Sequence, residues 1–215
     1  MAEPVKRPYH SPTRRAAAAR TREQILDAAD RLFQAQGFGR TTVREIAHVA
    51  EVVPETVYAT FGTKAKLLTA IIDLRLAPGG EASLLDRPEM RAVAEERDQR
   101  ALLRRFAQDY ATMSERVRPV SEVLRTAKAV DPEMAEVRDE IEGHRYRYLR
   151  TVAGWLLDRG PLLMDVDRAA DLLWTLASPD VGRMLCDVRG WTSDEYAQWL
   201  EESLAAALLP PPRRR

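Results

Sequence analysis

The residues best placed to do chemistry in this sequence lie between positions 42 and 68, in two short helical segments and the start of a third. In the second segment Val57 and Phe61 lie four residues apart, the spacing that puts side chains on one buried face of a helix. The opposite face then carries carboxylate, hydroxyl and methyl groups that are free to contact another molecule: Glu55, Thr56, Ala59 and Thr60. The unit is so short that few side chains of this helix are needed for a hydrophobic core. This favours a binding role for its outer face.

Side chains with the spacing of a catalytic or metal site are not found elsewhere in the sequence. Cys186 is the only cysteine, so an intramolecular disulfide and a cysteine-based zinc site are excluded. The three histidines are scattered at His10, His48 and His144. There is no nucleophile–base pair and no phosphate-binding glycine loop. The sequence therefore argues against an enzyme, and it predicts no metal and no cofactor.

Local signals predict where the helices around this face begin. Thr42 and Glu45 have the spacing of a capping box, in which each side chain satisfies a free backbone N–H. Pro54 suits the first position of the next helix, because a missing N–H is no loss there. Thr21 and Gln24 predict another capping box at the start of the first helix. The apolar stripe of that first helix is Ile25, Ala28, Ala29, Leu32 and Phe33.

Residues 1–20 differ from the rest of the chain in composition. They contain Pro4, Pro8 and Pro12 together with five basic residues, Lys6, Arg7, Arg14, Arg15 and Arg20. Proline interrupts helices and like charges repel one another, so we expect a disordered basic arm.

The pattern over about residues 20–70 resembles the DNA-binding domain of TetR-family transcriptional regulators. The matching positions are Ile25, Ala28, Ala29, Leu32, Phe33, Gly37, Phe38, Thr41, Thr42, Val43, Ile46, Ala47, Val57, Tyr58, Phe61, Lys64, Leu67 and Leu68. A generic three-helix bundle would give the apolar stripes but not Tyr58, Phe61 and Lys64 together. Two positions depart from the family. Glu51 stands where the family has a glycine in the turn, at a cost of about 1–2 kcal/mol if that residue is left-handed. Val53 stands where the family has a Ser or Thr cap, which is worth about 1 kcal/mol.

The resemblance implies a helix-turn-helix whose second helix enters the major groove of double-stranded DNA. The residues that would face base edges are Arg44, Pro54, Glu55, Thr56, Ala59 and Thr60, and those that would face the DNA backbone are Arg40, Thr41, Thr42, Tyr58 and Lys64. The second helix itself has no Arg, Lys, Asn or Gln, so we expect methyl contacts and DNA shape to contribute to specificity.

Each of these roles has an alternative. Glu55 could stabilise the N-terminus of its own helix, Tyr58 could be a core residue and Lys64 an ordinary surface lysine. The basic arm could lie along the DNA or be a solvated tail.

Charge is distributed unevenly although the formal net charge is zero. Residues 1–75 carry 12 Lys and Arg against 8 Asp and Glu, whereas residues 76–215 carry 21 against 25. The basic N-terminal part is consistent with a polyanionic partner. No uninterrupted apolar run of about 18 residues predicts a transmembrane helix, and residues 1–20 lack the pattern of a secretory signal. We therefore expect a cytoplasmic protein with no membrane partner.

Beyond residue 77 the sequence predicts a second helical region. Its segments lie near 98–117, 120–130, 133–158, 166–177, 179–189 and 194–208, the last preceded by a capping box at Thr192 and Glu195. Aromatic and methionine side chains that could line a ligand pocket, or simply form the core, are Phe106, Tyr110, Met113, Tyr148, Trp155 and Trp174. Candidates for a dimer interface on the last two long helices are Leu172, Leu173, Leu176, Tyr196, Trp199, Leu200 and Leu204. Arg145, Arg147 and Arg150 are expected on the solvated surface, although an inward arginine would favour an anionic ligand.

The predicted fold is all-α, with an N-terminal three-helix helix-turn-helix domain and a larger C-terminal helical domain for ligand binding and dimerisation. The predicted boundaries are an arm at 1–20, the helix-turn-helix domain at 21–76, the larger domain at 77–209 and a tail at 210–215. The expected function is a sequence-specific transcriptional regulator, a ligand-responsive repressor that binds a palindromic operator as a homodimer. The alternatives are a DNA-binding or architectural factor without a small-molecule effector, and, more remotely, an all-helical enzyme.

Overall fold

The computed structural model describes residues 12–80, 83–127 and 131–211. Within these residues every regular element is helical, which confirms the all-α fold class. The N-terminal part consists of α1 (Pro12–Gln36), α2 (Val43–Val49), α3 (Pro54–Phe61) and α4 (Lys64–Leu76). The larger C-terminal part consists of α5 (Pro88–Glu95), α6 (Gln99–Ala127), α7 (Pro132–Arg159), α8 (Val166–Leu176), α9 (Pro179–Gly182) and α10 (Ser193–Leu208), with a 3-10 turn at Leu84–Asp86 and a π-helical segment at Arg183–Val188.

The first helix begins nine residues earlier than the sequence predicted. Helix α1 starts at Pro12, so residues 12–20 are helical rather than a disordered arm, and Thr21 lies inside the helix instead of capping it. Proline is tolerated at the start of a helix, and the four alanines at 16–19 are strong helix formers, which together outweigh the repulsion between arginines. Residues 1–11 of the predicted arm and residues 212–215 of the predicted tail lie outside the described residues.

The turn between α2 and α3 has the geometry that the sequence indicated. Thr42 and Glu45 form the predicted capping box at the start of α2. At the other end, the backbone N–H of Val52 donates to the carbonyl of Ala47 at 2.9 Å and that of Glu51 donates to His48 at 3.2 Å, the two bonds of a Schellman motif. Glu51 has a φ of 56°, in the left-handed region, and is the one non-glycine residue of the described chain with a positive φ.

The C-terminal part differs from the prediction in two elements. Helix α6 runs without interruption through Pro119, where the sequence predicted a break between two helices. The ring of Pro119 is exposed, and buried side chains on the turns before and after it, such as Val117 and Val120, hold both halves of the helix to the core. Helix α5, which begins at Pro88, was not predicted because its eight residues bury only Met90 and Val93.

Helix α4 connects the two parts of the molecule. It packs against α1 and α3 on one side and against α6 and α7 on the other. Arg75 near its end forms an ion pair with Asp30 of α1, and the Thr63 hydroxyl before its start donates to Glu133 of α7 at 3.1 Å. A displacement of α4 would therefore be felt in both parts.

Candidate nucleic-acid interface and cavity

Helix α3 is anchored by one face and presents the other to solvent. Val57 and Phe61 are buried, as the sequence predicted. Val53 precedes the helix without a side-chain cap, and Pro54 occupies its first turn. On the outer face Glu55, Ala59 and Thr60 are exposed, and Pro54 and Thr56 are partly exposed. Arg44 of α2 is also exposed.

Tyr58 has the exposure that a backbone contact requires. Its side chain is 54% exposed, which rules out the alternative that it belongs to the core. Arg40 is exposed as well, with its Nε donating to the carbonyl of Gln36 at 3.2 Å. Thr42 is exposed, and its hydroxyl is engaged with Glu45 in the capping box. Tyr58 and Arg40 thus remain available on the surface of the N-terminal part, whereas the hydroxyl and the backbone N–H of Thr42 are already bonded to the Glu45 carboxylate, contrary to the expected DNA-backbone contact.

Thr41 was predicted to face the DNA backbone, and the structure does not place it there. The residue is 1% exposed, and its hydroxyl donates to the carbonyls of Gly37 at 2.9 Å and Leu32 at 3.3 Å. The buried Thr41 side chain therefore holds the loop after α1 to the end of that helix. Thr41 lies four residues after Gly37, which has a φ of 80° at the end of α1, and its hydroxyl serves this local bond rather than contact with a ligand.

Lys64 has an internal role that the sequence did not predict. Its Nζ donates to the carbonyl of Phe38 at 2.8 Å and to that of Thr41 at 2.9 Å, and it lies 4.1 Å from the centroid of the Phe38 ring. Burial lowers the pKa of this ammonium, and the carboxylate of Asp131 partly offsets the effect. Two of its three N–H groups are thus used to hold the loop between α1 and α2 against the start of α4.

A cavity of about 360 Å³ lies in the C-terminal part between α4, α6, α7 and the region of α8 and α9. Four of the six predicted lining residues are in its wall: Tyr110, Met113, Tyr148 and Trp174. The other two predictions, Phe106 and Trp155, are wrong. Phe106 is fully buried in the core, where its ring packs 5.8 Å from that of Tyr110, and Trp155 packs against the core without reaching the cavity.

Several wall residues were missed by the sequence reasoning. Helix α4 contributes Ile72, Asp73 and Leu76, so the element that connects the two parts also lines the cavity. Burial raises the pKa of Asp73 above its ordinary value, an effect reduced by His144. Ser114 and Arg118 of α6 also line the wall. They follow Tyr110 at four-residue intervals, which places all three on one face of α6. This spacing is visible in the sequence, but the predicted lining contained only aromatic and methionine residues.

Arg145 points inward, contrary to the expectation of a solvated side chain. Its guanidinium donates to the carbonyls of Trp174 at 2.7 Å and Ala177 at 2.9 Å, and it forms an ion pair with Glu142. It also lies 4.6 Å from the Trp174 ring. Arg145 therefore satisfies the free carbonyls at the end of α8 and is not available as the receptor of an anion. Arg147 and Arg150 are exposed, as expected.

Most of the predicted dimer-interface residues lie inside the protomer. Leu173, Tyr196, Leu200 and Leu204 are fully buried, so these four predictions are wrong. Leu172, Leu176 and Trp199 are only partly buried. The apolar side chains of α8 and α10 are needed for packing on α7 and α6 within one chain, which the sequence pattern could not distinguish from packing between chains.

In the described ranges, no helix is both long and apolar enough to cross a membrane. The same residues contain no group of three His, Cys, Asp or Glu side chains arranged to bind a metal ion.

Helices α1 to α3 form a three-helix unit in which α3, the second helix of the helix-turn-helix, is anchored by one face. Helix α4 joins this unit to the larger helical part. This arrangement defines a helix-turn-helix DNA-binding protein. Residues 25–71 match the model of the tetR family of bacterial regulatory proteins. The chain is 27% identical over 197 residues to the HTH-type transcriptional regulator TtgR of Pseudomonas putida, across 81% of this chain and 89% of TtgR. Residues 25–71 are therefore a DNA-binding domain of the TetR type.

Solved structures share the fold over almost the whole chain. NalD, the secondary repressor of the MexAB-OprM multidrug efflux pump in Pseudomonas aeruginosa, gives a TM-score of 0.67 at 22% identity, over 89% of this chain and 98% of NalD. The complex of SmeT with triclosan gives a TM-score of 0.66 at 21% identity, over 91% of this chain and 99% of SmeT. At these identities the likeness concerns the fold.

Proposed function

We propose that the protein is a homodimeric, ligand-responsive repressor that binds a palindromic operator. The observation that carries this proposal is the position of α4. One end of the helix holds the α1–α2 loop through Lys64, and its other end lines the cavity through Ile72 and Leu76. A molecule in the cavity would therefore touch the same helix that supports the DNA-binding domain.

The DNA contacts follow from the exposure of α2 and α3. Groups on the outer face of α3 and the exposed Arg44 meet base edges, through methyl groups, hydroxyls and the Glu55 carboxylate, which can accept from a cytosine amine. The proposed base-facing residues are Arg44, Pro54, Glu55, Thr56, Ala59 and Thr60. Arg40 and Tyr58 contact phosphates, and Lys64 acts chiefly by holding the loop that carries Arg40.

Regulation follows from a difference in ligand affinity between two arrangements of α4. For release from DNA, the ligand must bind the DNA-incompetent arrangement more tightly, and such couplings are typically about 1–3 kcal/mol. Support comes from two proteins of the same fold. SmeT has been solved as a complex with triclosan, and NalD is described as a repressor.

Dimerisation is proposed to use apolar side chains that the protomer leaves exposed near the C-terminus. Leu172, Leu176 and Trp199 remain from the predicted set, and Met184 and Val188 of the π-helical segment are both exposed. Two copies of the small helix-turn-helix domain bound to one palindromic operator would give the sequence specificity that a single domain lacks.

A single experiment tests the DNA-binding and dimer parts together. The protein is titrated onto fluorescein-labelled DNA from its own upstream region, and sedimentation velocity gives the mass of the free protein and of the complex. We expect a dimer that binds tightly and in a salt-dependent manner. Tyr58→Phe should bind about 100-fold more weakly or worse, because a hydrogen bond to a charged acceptor, which contributes about 1.5–3 kcal/mol, is lost at each of the two half-sites.

Unchanged affinity in Tyr58→Phe would contradict the phosphate assignment, and a monomer bound to one site would contradict the dimer. A thermal-shift screen separates the ligand-responsive regulator from one without an effector. An effector at about 100-fold its Kd adds about 2.7 kcal/mol of stability.

A further inference from the structure

One face of α6 places three polar side chains along the cavity wall. Tyr110, Ser114 and Arg118 succeed one another at four-residue intervals, and all three line the cavity. Side chains at i and i+4 lie on the same face of a helix, one above the other. We call these three residues the α6 polar stripe.

Two groups of the α6 polar stripe have no hydrogen-bond partner among the described residues. They are the hydroxyl of Ser114 and Nη1 of Arg118, and both atoms are buried. Ser114 is only 4% exposed, so bulk water does not compensate the missing bond. Nε of Arg118 is already used, since it donates to Asp187 at 3.0 Å. A buried donor without an acceptor costs free energy, and a suitable atom in the cavity would remove that cost.

Tyr110 keeps its proton and belongs to the same stripe. Burial raises the pKa of its phenol far above the ordinary value, with the neighbouring Arg145 acting in the opposite direction. The stripe therefore consists of two neutral hydroxyls and a guanidinium. A guanidinium can only donate and a hydroxyl can do so too, so the partner that suits all three is an acceptor oxygen.

Around this stripe most of the wall surface is apolar, although four further charged side chains also reach it: Asp73, Arg125, Arg138 and Asp180. Met113, Val117, Ile72, Leu76 and Ile141 contribute aliphatic or thioether surface, and the rings of Tyr148 and Trp174 contribute aromatic surface. A volume of about 360 Å³ lies near the lower end of the range of about 300–1,000 Å³ for small-molecule sites. The charged pair Arg145 and Glu142 is internally satisfied and offers no free charge to a ligand.

We propose that the cavity binds a mainly apolar, ring-containing molecule with one hydrogen-bond-accepting oxygen, a ketone or a carboxylate, and that Ser114 and Arg118 bind this oxygen. The proposal rests on the proposed ligand-responsive function and specifies the chemical class of the ligand. The ring system occupies the apolar part of the cavity beside Trp174, and the oxygen satisfies the two unpartnered groups on α6.

Three probes of similar shape separate the oxygen from the rings. They are 2-acetylnaphthalene with a ketone, 2-naphthoate with a carboxylate, and 2-isopropenylnaphthalene, in which a methylene group replaces the ketone oxygen. Each is titrated into the full-length protein by calorimetry. We expect the ketone to bind more tightly than the hydrocarbon by at least about tenfold, because the oxygen accepts from two groups and one of them is charged.

Ser114→Ala should reduce this preference by about 2–12-fold, because the bond from Arg118 remains, and it should leave the hydrocarbon affinity unchanged. Because the substitution deletes a buried hydroxyl without a partner, the melting temperature should not fall. Arg118→Met should weaken the carboxylate most. The matched control is Ser121→Ala, a serine of α6 that also lines the cavity but lies seven residues from Ser114, and it should keep the preference.

Equal affinity of the ketone and the hydrocarbon would overturn the proposal, as would equal losses for all probes in Ser114→Ala. If the hydrocarbon binds as tightly as the ketone, the cavity is still a ligand site. The proposed oxygen contact and the proposed ligand-responsive function therefore fail on different results. If none of the three probes binds, the ligand class is wrong. DNA affinity measured on the same preparation still reports on the regulator function.

Discussion

Replacing Lys64 by methionine distinguishes an internal role from a DNA contact. Methionine keeps an unbranched side chain that ends one atom earlier, beside the Phe38 ring, but it loses the ammonium and both N–H···O bonds to the loop after α1. Hydrogen bonds from charged groups contribute about 1.5–3 kcal/mol each. Lys64 is only partly buried, so values near the lower limit apply, and sulfur–aromatic contact replaces much of the cation–π energy. The expected loss is about 2–3 kcal/mol.

The assay combines thermal unfolding with DNA binding at several salt concentrations. For a protein of this size, about 2–3 kcal/mol corresponds to a fall in Tm of about 4–12 °C. The DNA affinity of Lys64→Met should weaken because the loop carrying Arg40 is no longer held. The slope of log affinity against log salt should stay the same, since no phosphate contact is lost.

Lys66→Met is the matched control, because Lys66 lies on the same helix and is exposed. It should change stability by less than about 0.5 kcal/mol. The reasoning would be refuted if Lys64→Met kept the wild-type Tm while the salt slope fell by about one for each half-site, the signature of a lost phosphate contact.

Three further predictions concern stability. Glu51→Gly should raise the free energy of unfolding by about 1 kcal/mol in a thermal or urea melt, because glycine adopts the left-handed φ without the cost of a Cβ. Arg87→Met leaves the buried carboxylate of Asp109, bound at 2.5 Å in the wild type, without its partner. It should cost about 3–5 kcal/mol near neutral pH, and adding Asp109→Leu should recover most of this loss. Burial already raises the pKa of Asp109. Without Arg87, the Asp109 carboxyl should keep its proton in the folded state at a pH where it is ionised in the unfolded state. The stability difference between wild type and Arg87→Met should therefore grow as pH rises from about 4 to 7, as measured by melts at several pH values. Thr192→Ala should cost about 1 kcal/mol by removing a cap. The hydrogen bonds of the capping box lower the pKa of Glu195 from 4.5. The loss of unfolding free energy in Thr192→Ala should therefore be present above that pH and shrink below it.

Each of these has a clear contradicting result. Glu51→Ala keeps the Cβ and should not stabilise, so equal gains in alanine and glycine variants would mean that the side-chain charge is responsible. A double variant no more stable than Arg87→Met would mean that the ion pair is not the reason for the loss. A difference between Thr192→Ala and wild type that is independent of pH would exclude the coupling to Glu195.

The N-terminal part was predictable from sequence because local rules determine it. Capping at Thr42, the proline at the start of α3 and the anchors Val57 and Phe61 each depend on residues within one or two turns. Glu51 was singled out differently, because the family has a glycine at its position, and its φ of 56° shows that this position is left-handed. The start of α1 was misjudged because the proline and charge arguments were given more weight than the helix propensity of the alanines at 16–19.

Roles that depend on distant partners could not be predicted. Lys64 meets carbonyls more than twenty residues away, and Arg145 meets the end of α8 about thirty residues away. Leu173 and Leu204 were assigned to a dimer interface because an apolar stripe looks the same whether it faces its own chain or another. The cavity itself depends on five helices, and only part of its aromatic lining carried a sequence signal.

Selection of binding sites from random double-stranded DNA tests the central claim most directly. The full-length protein is used to enrich a random library, and the enriched sequences are read. We expect an inverted repeat with half-sites separated by about one helical turn or a multiple of it. We also expect that Glu55→Gln changes the preferred base within each half-site while the spacing stays the same. Enrichment of no sequence, or of single half-sites without symmetry, would contradict this expectation.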